Sequence, residues 1–464
     1  MNINRRSFIS TILAAGAYPL MPGCFSPKAY SANGKVRLAA IGCGAQAWFD
    51  LKALAQNKDL CEVVALCDTD IGAPHTLDAL KEFPALPRFQ DFRKMFDKMA
   101  DKIDAVLVAV PDHSHFPIAM HAMKLGKAVY VEKPLAHTFE ECELMMKAAE
   151  KYGVVTQMGN QGHSTVKYHQ FREYVETGLV RDVEKVVVHM NSARRWHKWQ
   201  GKLAKLPGPD KMPPTLDWNT WLGTAAFHEF SKDYVYGEWR AWYDFGNGCM
   251  GDWCAHLMDC VHQFLLKGDL PTKIEVAHTV GWNKFVYPMD STLKFTFPAG
   301  RGHDEMELDW YEGAGNLPPL PDGFVFATPD GIPKNSANAD SGEIKLFPGK
   351  EMYQRDGTVW QSLSHKHPLH VVGDYDRKLP DYPAEFCTHY EGFLRAIRGE
   401  METLSPFSVA APLSQVFTLA CIAQRLDRGF AFDPKAKRIV GDDEADALLK
   451  GVPPAKGWEC YYKV

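Results

Sequence analysis

Along the first third of the chain, short unbroken apolar runs alternate with stretches of helical period. Lys35–Ile41 (KVRLAAI), Glu62–Cys67 (EVVALC), Asp104–Val110 (DAVLVAV), Ala128–Val131 and Val154–Met158 are too short for helices and lack polar alternation. Strands buried on both faces read this way. Between them, helical spacing runs from Ala47 to Gln56 and from His115 to Leu125, where Gly126 supplies a stop. Thr138-Phe139-Glu140-Glu141 opens a further helix, with Thr138 as N-cap and Glu141 as its capping-box partner. Strand–helix alternation of this kind predicts a parallel sheet covered on both faces over residues 34–160.

The pattern then changes. Val183–Asn191, Lys273–Val280, Ser291–Phe297 and Glu305–Trp310 are longer runs with partial alternation, as expected for an open, mainly antiparallel sheet with one packed face. Gly313 to about Gly357 is rich in Gly, Pro, Asn and Asp and reads as a long irregular insertion. Helices are expected near Glu385–Ile397 and Pro412–Leu426, packing back on the first domain. A chain of 464 residues exceeds one ordinary core, so residues 161–464 are assigned to a second, α+β domain.

Residues 1–33 are of another kind. Asn4-Arg5-Arg6-Ser7-Phe8-Ile9 precedes an apolar stretch to Leu20, the pattern of a twin-arginine export signal. The stretch is too short to span a bilayer as a mature helix. Met21-Pro22-Gly23-Cys24 loosely resembles a lipoprotein box, so the expected location is the periplasm, free or held by a lipid anchor at Cys24. The eleven cysteines show no C-x-x-C and no regular spacing, which argues against a disulfide framework. Cys43, Cys61, Cys67, Cys260 and Cys421 lie in apolar surroundings and read as small core residues. A net charge of −5 with scattered Lys and Arg gives no footprint for nucleic acid.

Chemistry enters at the first strand end. Gly42-Cys43-Gly44-Ala45-Gln46-Ala47 is a G-x-G-x-x-A element between a strand and a helix. The first glycine permits the tight turn, the second lets backbone approach a pyrophosphate, and Ala47 allows close helix–strand packing. The helix start offers unpaired N–H groups to phosphates. Asp68 ends the second strand 24 residues after Gly44, where a carboxylate bonds ribose hydroxyls and repels a 2′-phosphate. The expectation is a Rossmann domain binding NAD rather than NADP.

Two segments supply acid–base groups. Glu132-Lys133-Pro134 ends a strand, on the side of a parallel sheet where ligands bind. Gly246-Asn247-Gly248-Cys249-Met250-Gly251 leads into a helix carrying Asp252 and His256 at i and i+4, one face of a helix. There His256 can act as general base with Asp252 orienting it, although such a pair also serves as a cap or a structural bond. Asp259 continues the face, but no third ligand type clusters with it, and no metal is expected.

With Gly42–Ala47, Asp68, Pro111-Asp112-His113-Ser114-His115, Glu132-Lys133-Pro134 and the D-x-x-x-H of Asp252 and His256, the chain resembles the glucose–fructose oxidoreductase / inositol dehydrogenase / MocA family over nearly all its mature length. The resemblance implies a Rossmann domain plus an open antiparallel sheet, a homo-oligomer, and Lys133, Asp252 and His256 as catalytic group. Pro111, His115, Glu132 and Lys133 would line the nicotinamide side, and Gly42, Gly44, Ala45, Gln46, Ala47 and Asp68 the rest of the cofactor. Trp196, Trp199, Trp218, Trp221, Trp239, Trp242 and Trp253 crowd the same region, with Arg240 among them. Flat apolar faces suit sugar rings and Arg240 suits hydroxyls, so Trp196, Trp239 and Arg240 are the substrate candidates; tryptophans also fill cores. The expected activity is hydride transfer at a carbinol carbon of a sugar, sugar derivative or polyol. Outside the cytoplasm little free NAD(H) is at hand, so an exported enzyme would carry its cofactor tightly bound and regenerate it in each cycle. A redox-neutral glycosidase, as in glycoside hydrolase family 109, is the alternative, and a non-catalytic sugar or dinucleotide binder a second.

Overall fold

The computed structural model describes residues 34–192, 202–324, 326, 336–337, 344–362, 368–383 and 387–464. Its first six strands are β1 (Val36–Ile41), β2 (Cys61–Cys67), β3 (Arg88–Phe89), β4 (Ala105–Val108), β5 (Ala128–Glu132) and β6 (Thr156–Gly159). They form one sheet in the order β3-β2-β1-β4-β5-β6, with every pairing parallel. This is the doubly wound order whose strand sequence reverses between β1 and β4, opening a crevice at the carboxyl ends. Strands β4 and β5 are buried at every position, the reason their sequences run apolar without alternation.

Four helices bear on the site. α1 (Gln46–Ala55) follows β1, α2 (His115–Lys124) follows β4, and α3 (Phe139–Tyr152) follows β5. α3 is closed at its start by a full capping box, Thr138 and Glu141 each bonding the other's backbone N–H at 3.2 Å. The fourth, α4 (Phe407–Leu426), is a 20-residue apolar helix. By length and composition it could cross a membrane, yet 83% of its apolar window is buried. It joins the two sheets: the Phe407 N–H donates to Thr156 Oγ1 at 3.1 Å, Ser414 Oγ accepts the Leu135 N–H at 3.1 Å, and Gln424 donates to Ser291 and Glu312.

The second sheet has nine strands. β7 (Val183–Met190), β8 (Lys273–Val280), β9 (Asp290–Phe297) and β10 (Met306–Glu312) are joined, past a short hairpin of β11 (Ser336–Ala337) and β12 (Ile344–Lys345), by β13 (Gly349–Gln354), β14 (Val359–Ser362), β15 (His370–Val371), β16 (Phe430–Asp433) and β17 (Arg438–Val440). The order is β15-β14-β13-β7-β10-β9-β8-β16-β17. Pairing is antiparallel except between β7 and β10, which run parallel.

Two expectations are corrected here. The segment expected to be an irregular insertion after Gly313 contributes β13, which pairs directly with β7 near the middle of the sheet. Its charged residues hid it: Lys350 and Glu351 are 2% and 1% exposed, and Glu351 is held 3.3 Å from the buried His189. Buried charge is tolerated only where paired. The last long helix begins at Phe407 rather than Pro412, which lies inside it.

Candidate functional site

The crevice at the carboxyl ends of β1, β2, β4 and β5 opens into a cleft of about 370 Å³, reaching from Gly42–Ala47 and Asp68 at one end to Lys133, Arg240 and Asp252 at the other.

At the first end the backbone sets the shape. Gly42 has φ +96°, and a Cβ there would lie 2.1 Å from the Ala109 carbonyl oxygen, so only glycine allows β1 to turn beside β4. Ala45, at φ 49°, precedes α1 without a side-chain cap, leaving N–H groups directed at the cleft for an anion. Gly44, Gln46 and Ala47 complete this wall. Asp68 accepts the Cys43 N–H at 2.9 Å through Oδ2 and the Asp70 N–H at 3.0 Å through Oδ1. His75 Nε2 lies 3.7 Å from Oδ1, and Oδ2 keeps a further acceptor position.

A strap over residues 213–240 covers this end. The Asp217 N–H donates to the Thr69 carbonyl at 2.8 Å. Thr215 and Tyr236 hydroxyls donate to the two oxygens of Asp70 at 2.5 and 3.0 Å. Leu216, Thr220, Trp221, Tyr236 and Trp239 of the strap line the cleft. The strap has its own core: Trp218 and Trp221 stack at 4.6 Å, with Phe230, Tyr234, Trp242 and Phe245 against them. Trp218 and Trp242 thus fill that core, while Trp221 and Trp239 reach the cleft wall.

At the other end Lys133 Nζ donates to Asp252 Oδ1 and to the Asp252 carbonyl, both at 2.8 Å. Arg240 Nε lies 3.4 Å from the same Oδ1, its guanidinium 4.1 Å over the Trp239 ring. Lys133 and Asp252 side chains are each 11% exposed. Asp252 sits on a π-turn, Met250–Cys254, a form that recurs at functional sites. Gly251 brings this turn against β5: a Cβ there would lie 2.5 Å from Asn247 Cβ and 3.2 Å from Pro134 Cγ. His256 lies four residues on, half-buried, its ring edge-on to Trp253 at 5.9 Å. Among the described residues that line the cleft, Asp252 is present and His256 is not.

Pro111 and Glu132 are on the cleft wall. Burial, then the nearby Asp50, pushes the Glu132 carboxyl well above its usual range, and burial raises Asp50 to about 6. Gln161 Nε2 bridges Glu132, Tyr130 and Asp50 at 2.6, 3.2 and 3.5 Å. His115 departs from its expected place beside the nicotinamide: it is 1% exposed and outside the cleft wall. Its ring nitrogens meet the Val110 and Pro134 carbonyls at 2.9 and 2.8 Å, and burial holds it down to about 4. It braces the two strand ends that carry Pro111 and Lys133.

Trp196 and Trp199 lie outside the described residues, as do Arg5, Arg6 and Cys24. None of the ten described cysteines is in a disulfide. Among the described residues no three His, Cys, Asp or Glu side chains converge as a metal set. Sequence reasoning did not single out Tyr236, Asp70 or Trp458 for the cleft. No local motif marks them, since each reaches it only through the strap, a loop or the C-terminal turn.

Comparison with known proteins agrees with this architecture. Residues 36–160 match the family model described as "Oxidoreductase family, NAD-binding Rossmann fold", and residues 164–290 its "C-terminal alpha/beta domain". A glycosyl hydrolase family 109 protein of Shewanella pealeana is 31% identical over 178 residues, 32% of this chain and 38% of that protein. The inositol 2-dehydrogenase of Salmonella typhimurium is 27% identical over 147 residues, 31% of this chain and 43% of that enzyme. The match thus spans about two fifths of these relatives' length. Among solved structures, the WlbA dehydrogenase of Bordetella pertussis, in complex with NADH and UDP-GlcNAcA, superimposes with TM-score 0.59 at 15% identity, covering 86% of this chain and 99% of that one. The aldose-aldose oxidoreductase of Caulobacter crescentus, complexed with glycerol, gives 0.51 at 17% identity, covering 86% and 100%. These likenesses describe the fold. Together the two family models take in more than half of the 464 residues, and the chain belongs to the Gfo/Idh/MocA oxidoreductase family.

Proposed function

We propose that this enzyme uses NAD to oxidise or reduce a carbinol carbon of a sugar, sugar derivative or polyol. The observation that carries the reading is the Lys133–Asp252 pair at one end of a cleft whose other end is the glycine turn, the uncapped start of α1 and Asp68. That donor set fits a dinucleotide: N–H groups for the pyrophosphate, a close backbone turn at Gly42, and a carboxylate that favours free ribose hydroxyls over a 2′-phosphate. When bound, NAD supplies the hydride acceptor.

The chain's own groups do the rest. An ammonium has three donors, and two of those of Lys133 are engaged by Asp252. One direction at Nζ is left toward a substrate hydroxyl. Asp252 fixes the lysine, Arg240 gives a second cation for hydroxyl oxygens, and Trp239 carries Arg240 on its face. In its amine form Lys133 takes the hydroxyl proton, His256 standing off the cleft wall, with positioning and acid–base transfer supplying the rate.

A second reading is favoured by the strap. Bonds from Thr215, Tyr236 and Asp217 to the Thr69–Asp70 turn enclose the adenosine end, and a cofactor so enclosed turns over in place. A redox-neutral cycle, with transient oxidation, elimination, hydration and re-reduction, would cleave a glycosidic bond without net redox change. Such in-place turnover suits an exported protein, and export and a homo-oligomer complete the reading. The test is to purify the full chain without added cofactor, denature it, and identify the released dinucleotide by mass spectrometry. Stoichiometric NAD(H) is expected; NADP(H) or an empty site would overturn the bound-NAD assignment.

A further inference from the structure

A second cavity, of about 70 Å³, lies against the loop that leads to Asp252 and shares no lining residue with the cleft. Its walls come from four places: His137 between β5 and α3, Tyr243 and Asp244 just past the strap, Arg425 on the last turn of α4, and Lys450 near the C-terminus. Asn247, 1% exposed, forms its inner end. The orientation of that side-chain amide is fixed, because Nδ2 donates to the His137 carbonyl at 3.0 Å. Oδ1 is left buried with no hydrogen-bond partner among the described residues, and a buried carbonyl in that state marks a place for a donor. The same residue is tied to the reaction end. Its N–H donates at 2.9 Å to Oδ2 of Asp112, which is on the cleft wall, and its carbonyl accepts the Gly251 N–H at 2.9 Å, one residue before Asp252.

The outer end is cationic. Lys450 is exposed, and the Arg425 guanidinium, on a side chain 31% exposed, lies 5.4 Å over the Tyr243 ring with Nη2 3.6 Å from Asp244 Oδ1. Asp244 is shared, its Oδ2 lying 3.0 Å from His228 Nε2. The other carboxyl, Glu141, has both oxygens engaged, by the Tyr462 hydroxyl at 2.6 Å and the Thr138 N–H at 3.2 Å, and burial raises it to about 7. Burial holds His113 and His137 down to about 4, so neither adds charge. A bare anion would satisfy the two cations but would set an oxygen without a proton against Asn247 Oδ1. A plain alcohol would satisfy Asn247 and leave the cations unmatched. A molecule with a carboxylate at one end and a hydroxyl at the other meets both. At roughly 10–15 Å³ for each water, the cavity has space for about five to seven waters, or a ligand of that many heavy atoms. We propose that this cavity is a binding site for a small hydroxycarboxylate of about three carbons, its carboxylate on Arg425 and Lys450 and a hydroxyl donating to Asn247 Oδ1. The assignment does not depend on what the cleft binds.

The experiment is a titration of the full chain, as purified, with racemic glycerate, and with glycerol and acetate as controls, followed by saturation-transfer NMR. Glycerate should saturate with a Kd of about 1 mM, the range open to so few atoms. Glycerol and acetate, each lacking one of the two groups, should bind at least roughly 10-fold more weakly. Arg425→Gln and Lys450→Gln should each weaken glycerate roughly 5-fold, while Lys133→Gln, which alters only the cleft, leaves its Kd unchanged. Lys450 is exposed, so its variant decides should Arg425→Gln fail to fold. Loss of binding in Lys133→Gln with full binding in Lys450→Gln would place the molecule in the cleft and overturn the proposal. Glycerol binding as tightly as glycerate overturns it too, as does no saturation by about 20 mM, the mark of a cavity that holds water alone.

Discussion

The two ends of the cleft are built in different ways. The adenosine end is local: six consecutive residues, Gly42 to Ala47, and one strand-terminal carboxylate, Asp68, form most of its floor. The reaction end is assembled from three distant segments, with Lys133 after β5, Arg240 on the strap and Asp252 on the π-turn meeting within 3.4 Å. A local site is fixed by turn sterics and a helix end, whereas a dispersed one depends on how two sheets and a strap are held together. The first should fail through backbone geometry and the second through charge.

Changing the reaction end should have the largest effect. Lys133→Ala is expected to lower turnover by roughly 10³-fold, and His256→Gln by roughly 10²-fold if it shares the proton transfer, with NAD content by mass spectrometry unchanged in both. A less than twofold change for His256→Gln would assign the proton transfer to Lys133 alone.

Gly42→Val breaks the other end. A Cβ placed 2.1 Å from the Ala109 carbonyl forces β1 and β4 apart, so the purified variant should carry no dinucleotide. Retention of stoichiometric NAD would show that the turn can relax.

Tyr236→Phe removes one of the two hydroxyls that bind Asp70 while leaving its ring against His75. One part-buried hydrogen bond is worth about 1 kcal/mol, so NAD release, followed by fluorescence, should quicken about 5-fold. No change would mean that the strap closes through Thr215 and Asp217 alone.

The effect that bears least on the cleft is placed away from both ends. Burial raises Glu312 to about 7, although Trp310 and Gln424 bond its oxygens at 2.9 and 2.7 Å. Its folded value thus exceeds the ordinary carboxylate value of about 4.5. The unfolded chain loses this proton first as pH rises, so Glu312 contributes stability that is full below about pH 4.5 and falls away through about pH 7. Glu312→Gln should flatten that decline by on the order of 3 kcal/mol, seen as urea midpoints that change less with pH, without altering NAD content.

Much of the frame was legible because it rests on short-range rules. The capping box at Thr138, the buried strands β4 and β5, and the glycine turn with its strand and helix follow from neighbouring residues. β13 was not legible, because Lys350 and Glu351 look like loop residues until His189 and the sheet interior are placed around them. Nor was the position of His115, a histidine of a binding motif that the fold uses as a brace between two carbonyls.

The sequence by itself determined the parallel sheet, the dinucleotide turn and the strand end that carries Lys133, because strand burial, turn sterics and helix capping act over a few residues. Only the tertiary structure decided which side chains face one another across the cleft: Lys133 and Arg240 on Asp252, Asp112 beside them, and the strap clasped to Asp70. The Lys133–Asp252 and Tyr236–Asp70 contacts join residues 119 and 166 positions apart. Their formation depends on the packing of α4 against both sheets, which no local pattern encodes.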